Sequence, residues 1–363
     1  MNILHLRSSE FFGGPERAIV GQCKYLDKFD VICASFVRGD RRNQFLEECQ
    51  SRGIKTVAIA ESFPGDLRAV RRLKKEIANR GIDLIISHDY KANVFGYYAV
   101  KNCHARQAAH FRGWTASDLK DRIYNQLNWI YLRRIRRVIT VSSASRQYLI
   151  GKGISGDTIV VVPNAIECDD SAPFRVSKSQ APDSEFRVVA AGRLSYEKGY
   201  DILLKAVALV KDKAPAFRLF IYGTGPEEAN LRKSAEELGI GDLIEFAGFV
   251  DNIKPLFREA DLMILPSRSE GMPNVILEAW SQRLPVLSTA VGGVPEMIQP
   301  GQNGLLVPSD DPQAMADMLS FAMFHTEEIV AYGEAGYETV REKYSYPKQS
   351  ELLEKIYNDF LID

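Results

Sequence analysis

Residues 262–280 read LMILPSRSEGMPNVILEAW, an apolar run followed by a polar turn and a helical pattern. The apolar run predicts a buried strand, and Pro273 suits the first position of the helix, with Glu278 about two turns in. Gly271 would let the backbone approach a ligand closely, and the helix N-terminus would offer free N–H groups to an anion. Glu270 and Glu278 add two carboxylates. The stretch therefore predicts a strand–loop–helix unit of an α/β fold, with a binding loop.

The same alternation of short apolar runs and longer helical patterns continues along most of the chain. It indicates parallel sheets covered by helices on both faces. The predicted strands are NILHL, DVICASFV, LIISH, RQAAHF, RVITVS and TIVVVPN in the first half, and FRVVAAGRL, FRLFIYG, LIEFAG, LMILP, PVLSTA and GLLVP in the second.

The polar segment 167–184, with two prolines, interrupts this alternation and predicts a linker. We therefore expect two doubly wound, Rossmann-like domains, over residues 1–166 and 185–345. Residues 346–363 predict a C-terminal amphipathic helix, for which the first domain is one packing partner. Two such domains that face each other would form a cleft.

The 363 residues carry 46 Lys and Arg against 47 Asp and Glu, a net charge of −1. No global field therefore favours nucleic acid. The five cysteines form no CxxC pair, and DxD and HExxH motifs are absent, so we expect neither a disulfide framework nor a metal site. The sequence shows no apolar run of about 18 residues and no signal peptide, which favours a cytoplasmic protein.

Two cations follow the first predicted strand of the second half, in RVVAAGRLSYEKGYD. Arg193 stands at the strand end and Lys198 in the loop before the next helix. Ligands of parallel α/β sheets bind beyond the carboxyl ends of strands, and a guanidinium and a lysine together suit a diphosphate. With the two carboxylates, which suit hydroxyls, they predict a nucleotide-sugar site. The alternative is a pair of solvated surface charges.

Further turns follow other strands of that half. Gly223 and Gly225 lie in IYGTGPEE, Gly292 and Gly293 in STAVGGVPE, and Val250 in FAGFVDN. The glycines would let backbone approach a ligand, and the backbone near Val250 would contact the edge of a nucleobase. Ordinary turns explain each stretch as well, because neither a full GxGxxG fingerprint nor a P-loop is present.

In the first half, Gly13 and Gly14 follow the first strand and precede a helix. His110 ends the strand RQAAHF, where an imidazole would polarise a sugar or orient an acceptor hydroxyl. His88, followed by Asp89 at another strand end, competes for that role. A structural histidine is the alternative for both.

Residues 118–137, DLKDRIYNQLNWIYLRRIRR, predict a basic helix with aromatic residues. Such a face suits anionic lipid headgroups. A core-facing helix with a solvated basic end explains the pattern equally well.

Together these motifs resemble glycosyltransferase family 4, the retaining transferases of GT-B fold. The resemblance rests on GRLSYEKGYD, FAGFVDN, the strand with EGMPNVILE, and GGVPE, in that order and spacing. It extends more loosely to FFGGPER, HDYKAN, the His110 strand and VPNAI. It implies an N-terminal acceptor domain and a C-terminal nucleotide-sugar domain across a cleft.

The resemblance also implies roles for individual residues. Arg193 and Lys198 would hold the donor diphosphate, Glu270 would contact hydroxyls of the transferred sugar, and Glu278 would bind the ribose. His110 matches the active-site histidine, although Phe111 and Arg112 here precede the glycine that usually follows it. The remaining expected donor contacts are Gly13, Gly14, Gly223, Gly225, Val250, Gly271, Met272, Pro273 and Asn274.

The expected function is metal-independent, retaining transfer of a hexose-type sugar from a UDP- or GDP-sugar to a glycan or lipid-linked acceptor. No cofactor beyond the nucleotide-sugar substrate is expected. The protein would be cytoplasmic, with a peripheral contact at the inner membrane face through residues 118–137. Two alternatives remain: a nucleotide-sugar epimerase on the same fold, and a non-catalytic subunit of a glycan-assembly complex.

Overall fold

The computed structural model describes residues 1–112, 126, 128–168, 185–214 and 216–362. It contains two compact units, unit 1 (Met1–Ala165 with Tyr346–Asp363) and unit 2 (Ile166–Ser345). Most of the predicted linker, residues 169–184, lies outside the described residues.

Unit 1 is built on a seven-stranded parallel sheet of order β3-β2-β1-β4-β5-β6-β7. Its strands are β1 (Asn2–Leu6), β2 (Asp30–Arg38), β3 (Lys55–Glu61), β4 (Leu84–Ser87), β5 (Arg106–Phe111), β6 (Arg137–Thr140) and β7 (Ile159–Val161). Its helices are Gly14–Cys23, Gln44–Ser51, Arg68–Asn79, Tyr90–Val100, Ser143–Gly151 and Tyr346–Ile362, with a 3₁₀ turn at Gly156–Thr158.

Successive residues of the central strands enter cores on opposite faces of this sheet. Leu4 and Ile85 belong to one cluster, whereas Ile3 and Ile86 belong to the other. Burial on both faces explains the continuous apolar runs of the sequence. The helix Tyr346–Ile362 contributes to the second cluster, in which the Tyr357 side chain is fully buried.

The strand β3, Lys55–Glu61, lies at the edge of the sheet and is not among the predicted strands. Its residues alternate between exposed and buried, so it lacks the continuous apolar run by which the other strands stand out.

Unit 2 is built on a six-stranded parallel sheet of order β10-β9-β8-β11-β12-β13. Its strands are β8 (Phe186–Ala191), β9 (Phe217–Tyr222), β10 (Ile244–Gly248), β11 (Leu262–Leu265), β12 (Val286–Thr289) and β13 (Leu305–Val307). Its helices are Tyr200–Val210, Glu228–Glu237, Lys254–Glu259, Asn274–Trp280, Val294–Met297, Pro312–Phe324 and Thr326–Lys343, with 3₁₀ turns at Tyr196–Lys198 and Gly241–Leu243.

Both sheets confirm the predicted α/β class. The strand order reverses between β1 and β4 in unit 1 and between β8 and β11 in unit 2. Such a reversal leaves a crevice at the carboxyl ends of the two central strands, where ligands of this fold class bind. Among the helices that the structure describes, none has the length and apolar character needed to span a bilayer.

Candidate active site

Lys198 and Glu270 meet at the switch point of unit 2. Lys198 lies in the loop after β8, and Glu270 lies in the loop after β11. Lys198 Nζ is 2.6 Å from Glu270 Oε1, and the two side chains are 24% and 8% exposed. Ser267 Oγ donates to the same Glu270 oxygen at 2.6 Å. Within the described part of the chain, Glu270 Oε2 makes no hydrogen bond, so it can accept from a ligand hydroxyl.

Tyr200, which is not among the predicted site residues, also lies near the Glu270 carboxylate. Tyr200 is buried, and burial together with the negative charge of Glu270 raises the pKa of its phenol. It therefore stays neutral beside the ion pair.

Arg268 connects the two loops that carry Lys198 and Glu270. It is not among the site residues predicted from the sequence. Its Nη1 and Nη2 donate to the two carboxylate oxygens of Asp201 at 2.8 Å each, and its Nε donates to Asp310 at 2.6 Å. Nη1 also donates to the Tyr196 carbonyl at 2.8 Å, and the backbone N–H of Arg268 donates to the Glu197 carbonyl at 2.8 Å. Arg268 thus fixes the Tyr196–Lys198 turn against the Glu270 loop.

The turn after β12 packs directly on the Glu270 loop. The Gly293 N–H donates to the Gly271 carbonyl at 3.0 Å. Gly292 has φ +54°, and a Cβ at this position would lie 1.7 Å from the Glu270 carbonyl oxygen. The turn at Gly292 and Gly293 therefore supports the backbone of the Glu270 loop, and it needs glycine at position 292.

The start of the following helix differs from the prediction. The helix is Asn274–Trp280, and Pro273 takes the N-cap position rather than the first helical one. Glu278 is consequently little more than one turn into the helix, and it is half-buried. Met272 is buried, and Asn274 Oδ1 is buried without a hydrogen-bond partner among the described residues.

Arg193 is exposed, and no hydrogen bond or ion pair within the described residues holds its guanidinium. Gly223 and Gly225 have a structural reason to be glycine, since a Cβ would lie 1.9 Å from the Gly192 carbonyl oxygen and 2.2 Å from that of Leu194. At both positions, the glycine lies close to the backbone of the protein itself. Val250 is half-buried in the turn after β10.

In unit 1, Gly13 caps the helix that begins at Gly14. Glu16 Oε2 accepts from the Gly13 N–H at 3.0 Å, while Glu16 Oε1 is 2.5 Å from Arg7 Nε. Burial alone would raise the pKa of Glu16, but the charge and hydrogen bond of Arg7 outweigh burial and lower it. Glu16 therefore stays ionised and holds the glycine turn in place.

His110 belongs to a buried row of three histidines. His5 Nδ1 is 3.0 Å from His88 Nε2, and the ring centroids of His88 and His110 are 5.4 Å apart. Burial lowers the pKa of His5 to about 3 and, helped by neighbouring charges, the pKa values of His88 and His110 well below 6.5. All three imidazoles are therefore neutral near pH 7. His88 and His110, predicted as competitors for one role, lie side by side.

Asp89 has a structural role. Its Oδ1 caps the helix Tyr90–Val100 by accepting from the Ala92 N–H at 2.9 Å, and its Oδ2 accepts from the Ser8 N–H at 2.5 Å. Within the part of the chain that the structure describes, no group of three or more His, Cys, Asp or Glu side chains is arranged to hold a metal ion.

Of the predicted basic helix, residues 118–125 and 127 lie outside the described residues. In the rest, Trp129, Leu132 and Ile135 are buried in a core with Phe111, whereas Ile130 is 42% exposed.

Two family models match the chain. Glycosyltransferase Family 4 covers residues 12–170, and Glycosyl transferases group 1 covers residues 185–323. The chain is 32% identical over 169 residues to the lipopolysaccharide core biosynthesis glycosyltransferase LpsE of Rhizobium meliloti, covering 47% of this chain and 48% of that relative. It is 28% identical over 231 residues to the amylovoran biosynthesis glycosyltransferase AmsK of Erwinia amylovora, covering 60% of this chain and 56% of that relative. The chain thus spans about half the length of these curated relatives.

The fold is also that of solved structures. Anabaena Alr3699/HepE in complex with UDP-glucose superposes with a TM-score of 0.83 at 21% identity, covering 99% of this chain and 100% of that chain. The chain therefore belongs to glycosyltransferase family 4 and has the GT-B fold, as its motifs predict.

Proposed function

We propose that this protein is a retaining, metal-independent glycosyltransferase. It transfers a hexose-type sugar from a UDP- or GDP-sugar to a glycan or lipid-linked acceptor in the biosynthesis of a cell-surface polysaccharide. The names of LpsE and AmsK, and the UDP-glucose in the HepE structure, support a nucleotide-sugar donor and such a pathway. We further propose a cytoplasmic location, with residues 118–137 as a peripheral membrane contact.

The observation that carries the proposal is the Lys198–Glu270 pair at the switch point of unit 2. Cleavage of the bond between the anomeric carbon and the diphosphate builds negative charge on the leaving oxygen. Lys198 supplies positive charge for that oxygen, together with the guanidinium of Arg193, which pairs with no described residue. Glu270 positions Lys198 through Oε1 and keeps Oε2 for a hydroxyl of the sugar. The leaving phosphate takes the acceptor proton, so that attack occurs on the face that the diphosphate leaves.

A thermal-shift screen over nucleotides and nucleotide sugars tests the donor. A ligand at 100 times its Kd stabilises the folded protein by about 2.7 kcal/mol, so UDP or GDP should raise the melting temperature. A screen in which no nucleotide shifts the melting temperature contradicts the proposal and favours a non-catalytic subunit. Free UDP or GDP should then appear only when an acceptor is added, whereas an epimerase would convert the donor without releasing nucleotide.

A further inference from the structure

Arg112 stands directly after β5, at the carboxyl edge of the unit 1 sheet. His5 on β1, His88 after β4 and His110 on β5 surround this edge. Ligands of parallel sheets bind at this edge, and the row of histidines is buried there.

Within the described part of the chain, the guanidinium of Arg112 bonds only to neutral groups. Its Nη1 donates to Asn164 Oδ1 at 3.1 Å, and its Nη2 is 3.4 Å from His110 Nδ1. No described carboxylate forms an ion pair with it. Glu16 brings a carboxylate to the cluster, but its oxygens already accept from Arg7 and from the Gly13 N–H.

This leaves the cluster with positive charge that no group of the described residues balances. The three histidines are neutral, and Glu16 offsets Arg7. Burial, together with the charge of Arg7, lowers the pKa of Arg112 to about 10, which still leaves it a cation at pH 7. A partly buried charge without a counter-charge is costly, so the site favours an anion.

Two hydrogen-bond donors in the cluster also lack an acceptor in the part of the chain that the structure describes. Because a guanidinium only donates, His110 Nδ1 must be the acceptor of its contact with Arg112, and the neutral ring carries its hydrogen on Nε2. His110 Nε2 and Arg112 Nε are both buried and have no hydrogen-bond partner among the described residues. The oxygens of an oxyanion are acceptors only, and they suit both donors.

The net charge of −1 conceals a strong asymmetry between the units. Met1–Ala165 with Tyr346–Asp363 contain 29 Lys and Arg against 19 Asp and Glu, whereas Ile166–Ser345 contain 17 against 28. Unit 1 therefore attracts anions, although the whole chain is nearly neutral. The absence of a global field holds for the whole chain, whereas each unit carries a net charge of its own.

We propose that Arg112 and His110 form an oxyanion subsite that binds a phosphate or carboxylate group of the acceptor substrate. This rests on the proposed transfer function, in which Arg193 and Lys198 hold the diphosphate of the donor. It defines the acceptor as acidic.

Inorganic phosphate is the probe, and the full chain is used with saturating UDP or GDP, whichever binds. Phosphate should raise the melting temperature of the wild type beyond the effect of potassium chloride at equal ionic strength. Arg112→Gln should remove this specific increase, and Arg71→Gln, a change to an exposed arginine on the helix Arg68–Asn79, should retain it. No specific increase in the wild type, or a full increase in Arg112→Gln, overturns the proposal.

A second measurement does not depend on the folding of a variant. Phenylglyoxal modifies accessible arginines, and peptide mapping measures the extent of modification at each one. Phosphate should slow modification of Arg112 several-fold in the wild type and leave Arg71 unchanged. Equal rates at Arg112 with and without phosphate overturn the proposal.

Saturating nucleotide distinguishes the two substrates that carry an oxyanion, the donor with its diphosphate and the acceptor. If saturating nucleotide abolishes both phosphate effects, the subsite takes the donor diphosphate and the acceptor assignment is wrong. If no nucleotide binds at all, the proposed function fails. The phosphate effects in the protein without nucleotide then still decide whether Arg112 binds an oxyanion.

Discussion

Lys198 and Glu270 form a part-buried ion pair across 72 residues of sequence, and their atoms Nζ and Oε1 are 2.6 Å apart. Glu270 holds the lysine in place, and Lys198 is the cation that would bind the donor diphosphate. Removal of either partner should therefore affect both stability and chemistry, and these effects must be measured separately.

Lys198→Ala should lower the rate of transfer by on the order of 10²-fold or more, because the leaving oxygen loses a cation. It also leaves the Glu270 carboxylate, 8% exposed, without its counter-charge, so the melting temperature should fall as well. Steady-state transfer rates and thermal unfolding check the two effects. Lys233→Ala, which removes an exposed lysine 3.5 Å from Glu237, is the matched control. A variant that transfers at the normal rate would refute the phosphate role.

Gly292→Ala should disrupt the Glu270 loop. An alanine would have to adopt φ near +54°, and its Cβ would lie 1.7 Å from the Glu270 carbonyl oxygen. Gly301→Ala is the control, because Gly301 has φ +73° with no atom within 4 Å of its Cβ position. Both variants carry the cost of a left-handed alanine, about 1 kcal/mol. Only Gly292→Ala should also lose nucleotide-dependent stabilisation and transfer. If the two variants behave alike, the close contact between a Cβ at position 292 and the Glu270 carbonyl oxygen is unimportant.

Most of the strands that the sequence predicts have residues buried on both faces of a sheet, as β1 and β11 do. The edge strand β3 is missed because it alternates. Glu270 and Lys198 could be selected from their positions after strands, but their contact could not, since it depends on which strands become neighbours. The same holds for Arg268, whose partners Asp201 and Asp310 are 67 and 42 residues away.

The histidines of unit 1 also form a contact that the sequence alone does not predict. Each of His88 and His110 is recognisable as a strand-end histidine, but His5 lies inside the apolar run NILHL and gives no separate signal. Only the strand order β1-β4-β5 brings the three rings together. The neutrality of the rings follows from their burial, which no local pattern encodes.

Chelation should leave transfer intact. In the proposed mechanism, Lys198 and Arg193 would supply the positive charge that a metal ion would otherwise bring to the leaving diphosphate. Transfer rates of EDTA-treated protein, with and without added Mg²⁺, check this. Loss of activity in EDTA that Mg²⁺ restores would show that these two cations are insufficient.

Arg268→Met should reduce transfer through misplacement of Lys198 and Glu270. A displacement of about 1 Å in such a site costs on the order of 10²-fold in rate. Arg268→Lys should recover little, because a lysine cannot bond both oxygens of Asp201 and also Asp310. Arg341→Met is the control, since Arg341 is exposed and its partner Glu338 lies on the same helix.

A double variant separates positioning from a general structural role. In a Lys198→Ala background, Arg268→Met should lower the transfer rate much less than it does alone, because the group that Arg268 positions is already absent. Transfer rates of the two single variants and the double variant complete the cycle. If the fold loss in transfer rate of the double variant equals the product of the two single losses, Arg268 acts independently of Lys198.

The buried histidines should make unit 1 sensitive to acid. The pKa of His5 is about 3 in the folded protein and about 6.5 in the unfolded chain, so below pH 6.5 the unfolded chain binds the proton first. Stability therefore falls as pH decreases from 6.5 towards 3, by up to about 1.4 kcal/mol per pH unit for each such histidine. His5→Gln should make the dependence of the urea midpoint on pH shallower between pH 7 and 5. His104→Gln, which changes an exposed histidine of the same unit, should leave that dependence unchanged. An unaltered slope in His5→Gln would mean that His5 is protonated in the folded protein, near the Arg112 charge that opposes this.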